Sequence, residues 1–453
     1  MQFKIGLSIA GSDSGGAAGI QADLKTLTNL GVYGCTAITA ITAQNTKKVT
    51  SITELDCRAV ADQINSTIRD IHPNAIKIGM VYNKKNIHVI KESLRSIRVP
   101  IILDPIFAAG TGARLLLPDA LETFKRELIP LSTVITPNHF EAEEIVGFRI
   151  RTRDDLKKAA NRIKDLGAKN VIIKSIHLYK RKITDFLLSS ESKFLEISNS
   201  RLKIAEIHGS GCNFSAAVTA FLARGYVVTN AFVLANKYAQ GAIRDNLKVG
   251  AGLAVAHPAF SLYEDANRYS VLMKLRAASE TVESIDRFGE LIPETQSNLA
   301  FALPDANELN DVAAIKGRIV KFGERALCAS RTVEFGASQH VASAVLVYMK
   351  SDPLIRSGIN IKFNKDIERI IRSDFKISSY DRHLEGHETS RKEGMSIPWG
   401  IKFALARNPK AELIYHKGSI GKEAMCIVFG EEPSEVVLKV NRILKKLNIY
   451  TGR

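Results

Sequence analysis

The residues whose types and spacing point most directly to chemistry are His208-Gly209-Ser210-Gly211-Cys212-Asn213-Phe214-Ser215-Ala216-Ala217. A glycine turn leads into a helix on which Phe214, Val218, Phe221 and Leu222 share a face, and Gly225 ends it. Free backbone N–H groups and the dipole at such a helix start make an anion hole. Cys212 at that start is expected to have a lowered thiol pKa and to accept a proton. The same residues also read as a tight turn with a buried cysteine behind it. On their own they do not separate the two.

Three further groups fall just past apolar runs that read as strands. Asp104 follows Pro100-Ile101-Ile102-Leu103, and Glu141 follows Thr133-Val134-Ile135-Thr136. Carboxylates at neighbouring strand ends can hold Mg²⁺ through water, the usual arrangement at a nucleotide phosphate. Each taken singly reads equally as a helix cap or a solvated turn. Lys174 ends Val171-Ile172-Ile173-Lys174, where it could reach phosphates or simply lie on the surface. Later in the chain, Phe335-Gly336-Ala337-Ser338-Gln339-His340 is a glycine turn with Ser338 as the expected N-cap of an apolar helix. His340 then sits in that helix's first turn, as an anion ligand or a capping histidine. Arg318 lies in Lys316-Gly317-Arg318-Ile319-Val320, a turn that starts a strand. Basic and glycine-rich loops follow around Asp381-Arg382-His383, Ser396-Ile397-Pro398-Trp399-Gly400 and Gly418 to Glu423. His383 and His387 share i, i+4 spacing but lack the His-Glu-x-x-His order of a helical zinc site.

The elements that must position these groups follow from periodicity. Ile5 to Ala10 reads as a buried strand, Gly11 to Gly19 as a glycine-rich turn, and Ile20 to Asn29 as a helix stopped by Gly31. Ala75-Ile76-Lys77-Ile78 is a further strand. Repeated β-α units with continuously apolar strands predict an α/β fold with a mostly parallel sheet covered by helices, ligands binding at the strands' carboxyl ends. A break near Ala256-His257-Pro258-Ala259 precedes a helix from Tyr263 to about Ile285. Beyond it lies a separate α/β section with a final helix from Pro433 to about Leu447. The expected domains are residues 1–258 and 264–453.

Composition narrows the function classes. The 453 residues are 45% hydrophobic and 24% charged, which is globular rather than disordered. No apolar run approaches the ~18 residues that cross a bilayer. Five scattered cysteines without a Cys-x-x-Cys pair suit a reducing compartment, and the chain's start shows no signal-peptide pattern. A cytoplasmic location is expected. The net charge of +16 favours polyanionic partners. With no long Lys/Arg block and 7% aromatics, phosphorylated small molecules rank ahead of nucleic acid.

The first ~255 residues resemble the hydroxymethylpyrimidine/phosphomethylpyrimidine kinase family of thiamine biosynthesis, whose fold is ribokinase-like. The resemblance is carried by Ile9 to Gly16, Gly19-Ile20-Gln21-Ala22-Asp23-Leu24-Lys25-Thr26, Gly34 to Ala40, Ala43-Gln44-Asn45-Thr46, Lys77-Ile78-Gly79-Met80, Asp104-Pro105, Thr136-Pro137-Asn138 and the Cys212 segment. It implies two ATP-dependent phosphorylations, of the hydroxymethyl oxygen and then of the monophosphate. It also implies that Asp23 and Gln44 bind the aminopyrimidine, that Gly11 and Met80 line its pocket, and that Cys212 replaces an aspartate base. Gly209, Ser210 and Gly211 would stabilise the transferring phosphoryl group, with Asp104 and Glu141 organising Mg²⁺. The chain departs from the family pattern at Ser175 and Ile176, where Gly-Gly is usual, and at Ala17, Ile207 and Asn213.

Residues 264–453 resemble the archaeal-type thiamine-phosphate synthase domain. The similarity rests on Leu291-Ile292-Pro293, Asn298-Leu299-Ala300, Gly317 to Val320, Phe335 to His340, Asn360-Ile361, Asp381-Arg382, Trp399-Gly400 and Gly421-Lys422-Glu423. The implied reaction couples the pyrimidine pyrophosphate to thiazole phosphate, giving thiamine phosphate and pyrophosphate. Departure of pyrophosphate asks for charge-assisted hydrogen bonds, with Mg²⁺. Arg318 and His340 are expected to supply them, with Arg382 and Lys422 as further candidates. Asn360, Ser396 and Trp399 are expected to shape the pocket. His416 stands where the family tends to carry an aspartate. The expected partners are the small-molecule substrates and a second copy of the chain, not a membrane. Two alternatives stand beside this reading: an active kinase with a second domain that senses thiamine phosphate, and a kinase for a pyridoxal-type alcohol.

Overall fold

Leu7, Ser8, Ile9 and Ala10 are fully buried at the centre of a strand, β1 (Lys4–Asp13), that runs three residues into the expected glycine turn. The computed structural model describes residues 3–179, 182–200, 207–385, 396–419 and 421–450. The chain divides into two compact units, Met1–Tyr263 and Glu264–Arg453.

In the first unit β1 is central to a nine-stranded sheet. The other strands are β2 (Val32–Gln44), β3 (Val49–Glu54), β4 (Ala75–Ile78), β5 (Ile101–Leu103), β6 (Val134–Ile135), β7 (Asn170–Tyr179), β8 (Lys182–Leu188) and β9 (Phe194–Ser200). Their spatial order is β3-β2-β1-β4-β5-β6-β7-β8-β9. The pairs from β2 through β7 are parallel, while β3 at one edge and β8 and β9 at the other are antiparallel. The central strands are buried on both faces, and this explains their unbroken apolar runs. Helices α1 (Gly19–Asn29), α2 (Cys57–Asp70), α3 (Lys84–Leu94), α4 (Leu121–Glu127), α5 (His139–Val146), α6 (Arg153–Asp165), α7 (Ser210–Ala223) and α8 (Val228–Arg244) complete the unit. α7 is buried all round from Cys212 to Ala223, so Phe214, Phe221 and Leu222 fill one core while Ser215 reaches the strand ends.

The second unit holds a seven-stranded, mostly antiparallel sheet. Its strands are β12 (Leu299–Ala302), β13 (Val312–Ile315), β16 (Val333–Phe335), β17 (Ser357–Lys362), β18 (Ile377–Ser379), β19 (Leu413–His416) and β20 (Met425–Gly430), ordered β16-β13-β12-β17-β20-β19-β18. Only β18 and β19 are parallel among these described pairs. Short strands β10 (Ile207–His208) and β11 (Ala254–Val255) pair in the first unit, and β14 (Ile319–Phe322) and β15 (Arg325–Cys328) form a hairpin here. One face is covered by α9 (Phe260–Ser284) through Val271, Leu275, Ala278 and Val282, by α11 (Lys365–Asp374), and by the helix Pro433–Tyr450. The other face carries α10 (His340–Met349) and the helix Ser396–Arg407. The expected Ser338 cap is not seen: Gln339 occupies the N-cap position of α10, without a side-chain capping bond. No helix among the described residues is long and apolar enough to cross a membrane.

One irregularity positions the first unit's chemistry. The ladder between β7 and β8 shifts register between Ile173 and Ile176, and Ser175 sits there at φ +55 with its N–H on Asp185 Oδ1 at 2.8 Å. Such a bulge re-aims the neighbouring side chain, here Lys174. A left-handed conformation costs a non-glycine residue roughly 1–2 kcal/mol, and glycine gives back about 0.5–1 kcal/mol of that through its freer unfolded chain. Ser175→Gly is therefore expected to stabilise the protein by up to about 1 kcal/mol, and Ser175→Val to destabilise it, as read by the thermal midpoint of the full chain.

Candidate active sites in the two units

Five consecutive positions of the first unit's sheet deliver polar residues to the carboxyl ends of its strands. β1 ends in Asp13, whose carboxylate accepts the N–H groups of Gly15, Ala17 and Ala18 at 2.8, 3.1 and 2.8 Å and lies 3.5 Å from His208 Nε2. Burial raises the Asp13 carboxyl, but the bonds from His208, Ala18 and Gly15 outweigh it and hold the group low. These bonds fold the 13–18 turn against the start of α7. Gly209 caps that helix at φ +84, and a Cβ built on it would overlap the Ala17 carbonyl oxygen. Only glycine lets the two loops meet here.

β4 carries Lys77 at the centre of a strand whose four residues are all buried. Its ammonium is paired with Asp23 of α1, and Asp23 also accepts from Ser8 Oγ at 2.6 Å. Burial works against both ions. The Asp23 and Asp104 carboxylates reverse it for Lys77, which stays protonated. Asp23 is fully buried, its two oxygens taken by Lys77 and Ser8. It does not line the cleft, so the expected direct contact with an aminopyrimidine gives way to support from beneath.

Asp104, past β5, is likewise engaged. Its Oδ1 accepts from Lys174 Nζ at 2.8 Å and from Thr136 Oγ1 at 3.0 Å, and its Oδ2 from Ser215 Oγ at 2.8 Å. Burial raises this carboxyl, but the charges of Lys174 and Lys77 and the bonds from Lys174 and Ser215 more than offset it, and it stays ionised. Glu141 closes a capping box on α5, its Oε2 accepting from Asn138 N at 2.8 Å. Burial, reinforced by Asp104 and opposed by Lys174, pushes it up to about 8. The expected pair of metal carboxylates is thus unequal. Asp104 is saturated by protein donors, whereas the second oxygen of Glu141 carries no protein hydrogen bond among the described residues. No cluster of three or more metal-ligating side chains occurs among the described residues.

A cleft of about 680 Å³ gathers Gly11, Gln44, Met80, Asp104, Glu141, Lys174 and Gly209 to Cys212. Gly11 abuts Met80, since a Cβ there would lie 2.6 Å from its sulfur. The amide nitrogen of Gln44 meets His208 Nε2 at 2.7 Å. Lys174 Nζ lies 3.5 Å from where a Gly211 side chain would begin, under the first turn of α7. Cys212 differs from expectation. Burial pushes its thiol up to about 11, Asp104 and Asp23 adding to the rise against Lys77, so the helix start does not make it a thiolate.

In the second unit the predicted residues separate into groups. Arg318 lies exposed in the turn before β14 at φ +74 and donates from Nη1 to Thr295 O at 2.8 Å. Glu423, beside Lys422, accepts the N–H groups of Glu294 and Thr295 at 3.0 and 3.2 Å, so these loops adjoin. Asn360 is buried and spent on backbone: its Oδ1 accepts from Asn298 N at 2.8 Å and its Nδ2 donates to Gln296 O at 2.9 Å. Its amide is committed to holding the backbone of the segment before β12. Arg382 lies 3.7 Å from Glu385, which also accepts from the Ser396 hydroxyl. Tyr380 packs against Trp399 and against His416, ring centroids 6.1 and 5.1 Å apart. Burial, then Arg382 and Lys422, pushes His416 down to about 4. His340 opens α10. Tyr348 in the last turn of α10 donates to Ala411 O at 2.9 Å, just beyond the helix Ser396–Arg407 packed beside it. His340 and Ser396 open these two helices. His383 is exposed, and His387 lies outside the described residues.

Asp13, Lys77, Thr136 and Ser215 stand in the quoted motifs without a role of their own, and Tyr380 lies outside them. The signal for Lys77 is a charge inside an apolar four-residue strand, which is expensive unless paired.

Comparison with known proteins follows this division. A family profile described as phosphomethylpyrimidine kinase matches residues 13–257, and one described as thiamine-phosphate synthase ThiN matches 274–442. The chain is 41% identical over 254 residues to a hydroxymethylpyrimidine/phosphomethylpyrimidine kinase of Bacillus subtilis, covering 56% of this chain and 93% of that one. It is 31% identical over 447 residues, 98% of this chain and 99% of the other, to the bifunctional thiamine biosynthesis protein ThiDN of Methanocaldococcus jannaschii. An ADP complex of Bacillus subtilis pyridoxal kinase superposes with a TM-score of 0.54 at 32% identity, covering 58% of this chain and 99% of that one.

Replacing Lys77 by Met strands the Asp23 carboxylate in the core and is expected to cost about 3–5 kcal/mol. Asp23→Leu combined with Lys77→Met is expected to recover much of that stability while leaving the phosphoryl chemistry impaired. Urea unfolding of the single and double variants measures both.

Proposed function

On the premise that the chain belongs to the phosphomethylpyrimidine kinase family and carries a thiamine-phosphate synthase domain, we propose how its residues divide the work of thiamine biosynthesis. Residues 1–258 phosphorylate 4-amino-5-hydroxymethyl-2-methylpyrimidine and then its monophosphate with ATP. Residues 264–453 couple the pyrophosphate to thiazole phosphate. The observation that carries the kinase half is the glycine-capped start of α7 meeting Lys174 and Asp104 in one cleft with Gln44 and Met80.

The aminopyrimidine alcohol lies against Gly11, Gln44 and Met80. The γ-phosphoryl group takes the N–H groups of Gly209, Ser210, Gly211 and Cys212, and the helix start favours its charge. Lys174 adds a mobile charge beside them. Mg²⁺ fits Glu141, whose buried carboxyl a cation would relieve, better than Asp104, whose oxygens are taken. When bound it would neutralise phosphate charge. The Cys212 thiolate accepts the hydroxymethyl proton as the oxygen–phosphorus bond forms and the bond from the γ-phosphorus to the departing ADP breaks. Because this thiol ionises only near 11, its thiolate is scarce and strongly basic. In the second unit, Arg318 and His340 hold the pyrophosphate as it leaves the methylene carbon. The ring amino group feeds electrons to that carbon, and the thiazole nitrogen captures it. Tyr380 and Trp399 wall the pocket with aromatic surface. Five unpaired cysteines suit a reducing cytoplasm.

The likeness to pyridoxal kinase makes pyridoxal the competitor to run; the higher identity to the pyrimidine kinase favours hydroxymethylpyrimidine. Mass spectrometry of the full chain with hydroxymethylpyrimidine, ATP, Mg²⁺ and thiazole phosphate tests the assignment. Thiamine phosphate is expected. Cys212→Ala should stop the chain before the pyrimidine phosphates, and His340→Ala should leave the pyrimidine pyrophosphate accumulating. Accumulation in the wild type would make the second domain a sensor instead.

The pH profile is a second check. Both Glu141 and Cys212 act deprotonated, and both have raised pKa values, so the active forms grow as pH rises. The kinase kcat should climb through about pH 8 and again towards pH 11. Glu141→Gln should lose the first limb and keep the second.

A further inference from the structure

Coupling two phosphorylated molecules requires two places for phosphoryl anions, and Arg318 with His340 accounts for one. Arg382 offers the features of a second. Only 10% of its side chain is exposed, and its Nε is buried with no hydrogen-bond partner. Its ion contact, Glu385, stands at 3.7 Å, too far for a direct hydrogen bond, and that carboxylate is already bonded to the Ser396 hydroxyl. A guanidinium that is buried and underused among the described residues is costly unless an anion completes it.

His416, 4% exposed at the end of β19, faces the same charge. Its Nδ1 accepts the Gly418 N–H at 3.1 Å. That bond fixes the neutral tautomer with the proton on Nε2, leaving a donor. Lys422 pairs with Ser419 a few residues beyond His416. An aspartate at position 416 would offset the positive charge here; the neutral histidine leaves Arg382 with Glu385 as its one ion-pair partner among the described residues.

Resting on the synthase reading, we propose that Arg382 and the Nε2–H of His416, with Lys422 at the rim, form a second phosphoryl-anion subsite that binds either the thiazole monophosphate or the departing pyrophosphate. Arg382 supplies the planar fork that matches phosphate oxygens. Tyr380 and Trp399 shield it from water.

Calorimetric titration of the full chain with inorganic phosphate, and separately with inorganic pyrophosphate, tests this. Arg382→Gln should weaken one of the two anions tenfold or more, and His416→Ala should weaken the same anion more than His416→Gln, which keeps a donor. Loss of phosphate binding identifies the monophosphate end, and loss of pyrophosphate binding the leaving group. Should Arg382→Gln fail to fold, Arg382→Lys, which keeps the charge and loses the fork, must itself weaken binding several-fold. Unchanged affinities in a folded Arg382 variant would overturn the subsite, even in a chain that still makes thiamine phosphate. Arg382-dependent binding in a chain that makes none would instead sink the synthase reading and leave the subsite standing.

Discussion

The first unit is arranged around one electrostatic problem: holding two buried positive charges beneath the proposed phosphate site at the start of α7. Lys77 and Lys174 are both buried there, and a buried ammonium without a partner would lose its proton. Asp23 and Asp104 keep them charged. The parallel sheet supplies the geometry, since β1, β4, β5, β6 and β7 end side by side and present Asp13, Lys77, Asp104, Thr136 and Lys174 at or near one rim. α7 is tied to that rim by Ser215 on Asp104, so the helix start is positioned by the same carboxylate that holds Lys174. On the proposed reading, a phosphate arriving above Gly209 to Cys212 would meet charge already in place, which is how preorganised sites lower a barrier.

The second unit meets a related demand on an antiparallel sheet. Two helices open at His340 and Ser396, the end of β19 adds His416, and the segment between β19 and β20 adds Lys422. Here the charge is less fully countered. Arg382 has a distant acid, and His416 stays neutral among cations. Such a surface is poised for anions brought by substrates.

Local chemistry was readable in the chain, while its partners were not. The turn and helix from His208 to Ala217, the β-α alternation and the apolar strand cores are short-range patterns and appear as expected. The residues that control the site come together across long separations: Asp23 and Lys77 are 54 positions apart, Asp104 and Lys174 are 70, and Asp104 and Ser215 are 111. No spacing rule links them, so Asp23 was expected on the substrate and Asp104 on a metal. Cys212 shows the same limit: a helix start argues for a low thiol pKa, and only the fold reveals how completely it is buried. Asn360 sits in a motif yet serves the backbone of Gln296 and Asn298.

On the proposed reading, the buried ion pairs hold a ready anion hole at the start of α7. A crystal structure of the full chain with hydroxymethylpyrimidine and a non-hydrolysable ATP analogue tests it most directly. The γ-phosphate oxygens should rest on the N–H groups from Gly209 to Cys212, with Lys174 Nζ spanning Asp104 and phosphate, and the Asp23–Lys77 pair unmoved. A γ-phosphate bound away from that helix start, with Lys174 still bonded to Asp104 alone, would contradict it.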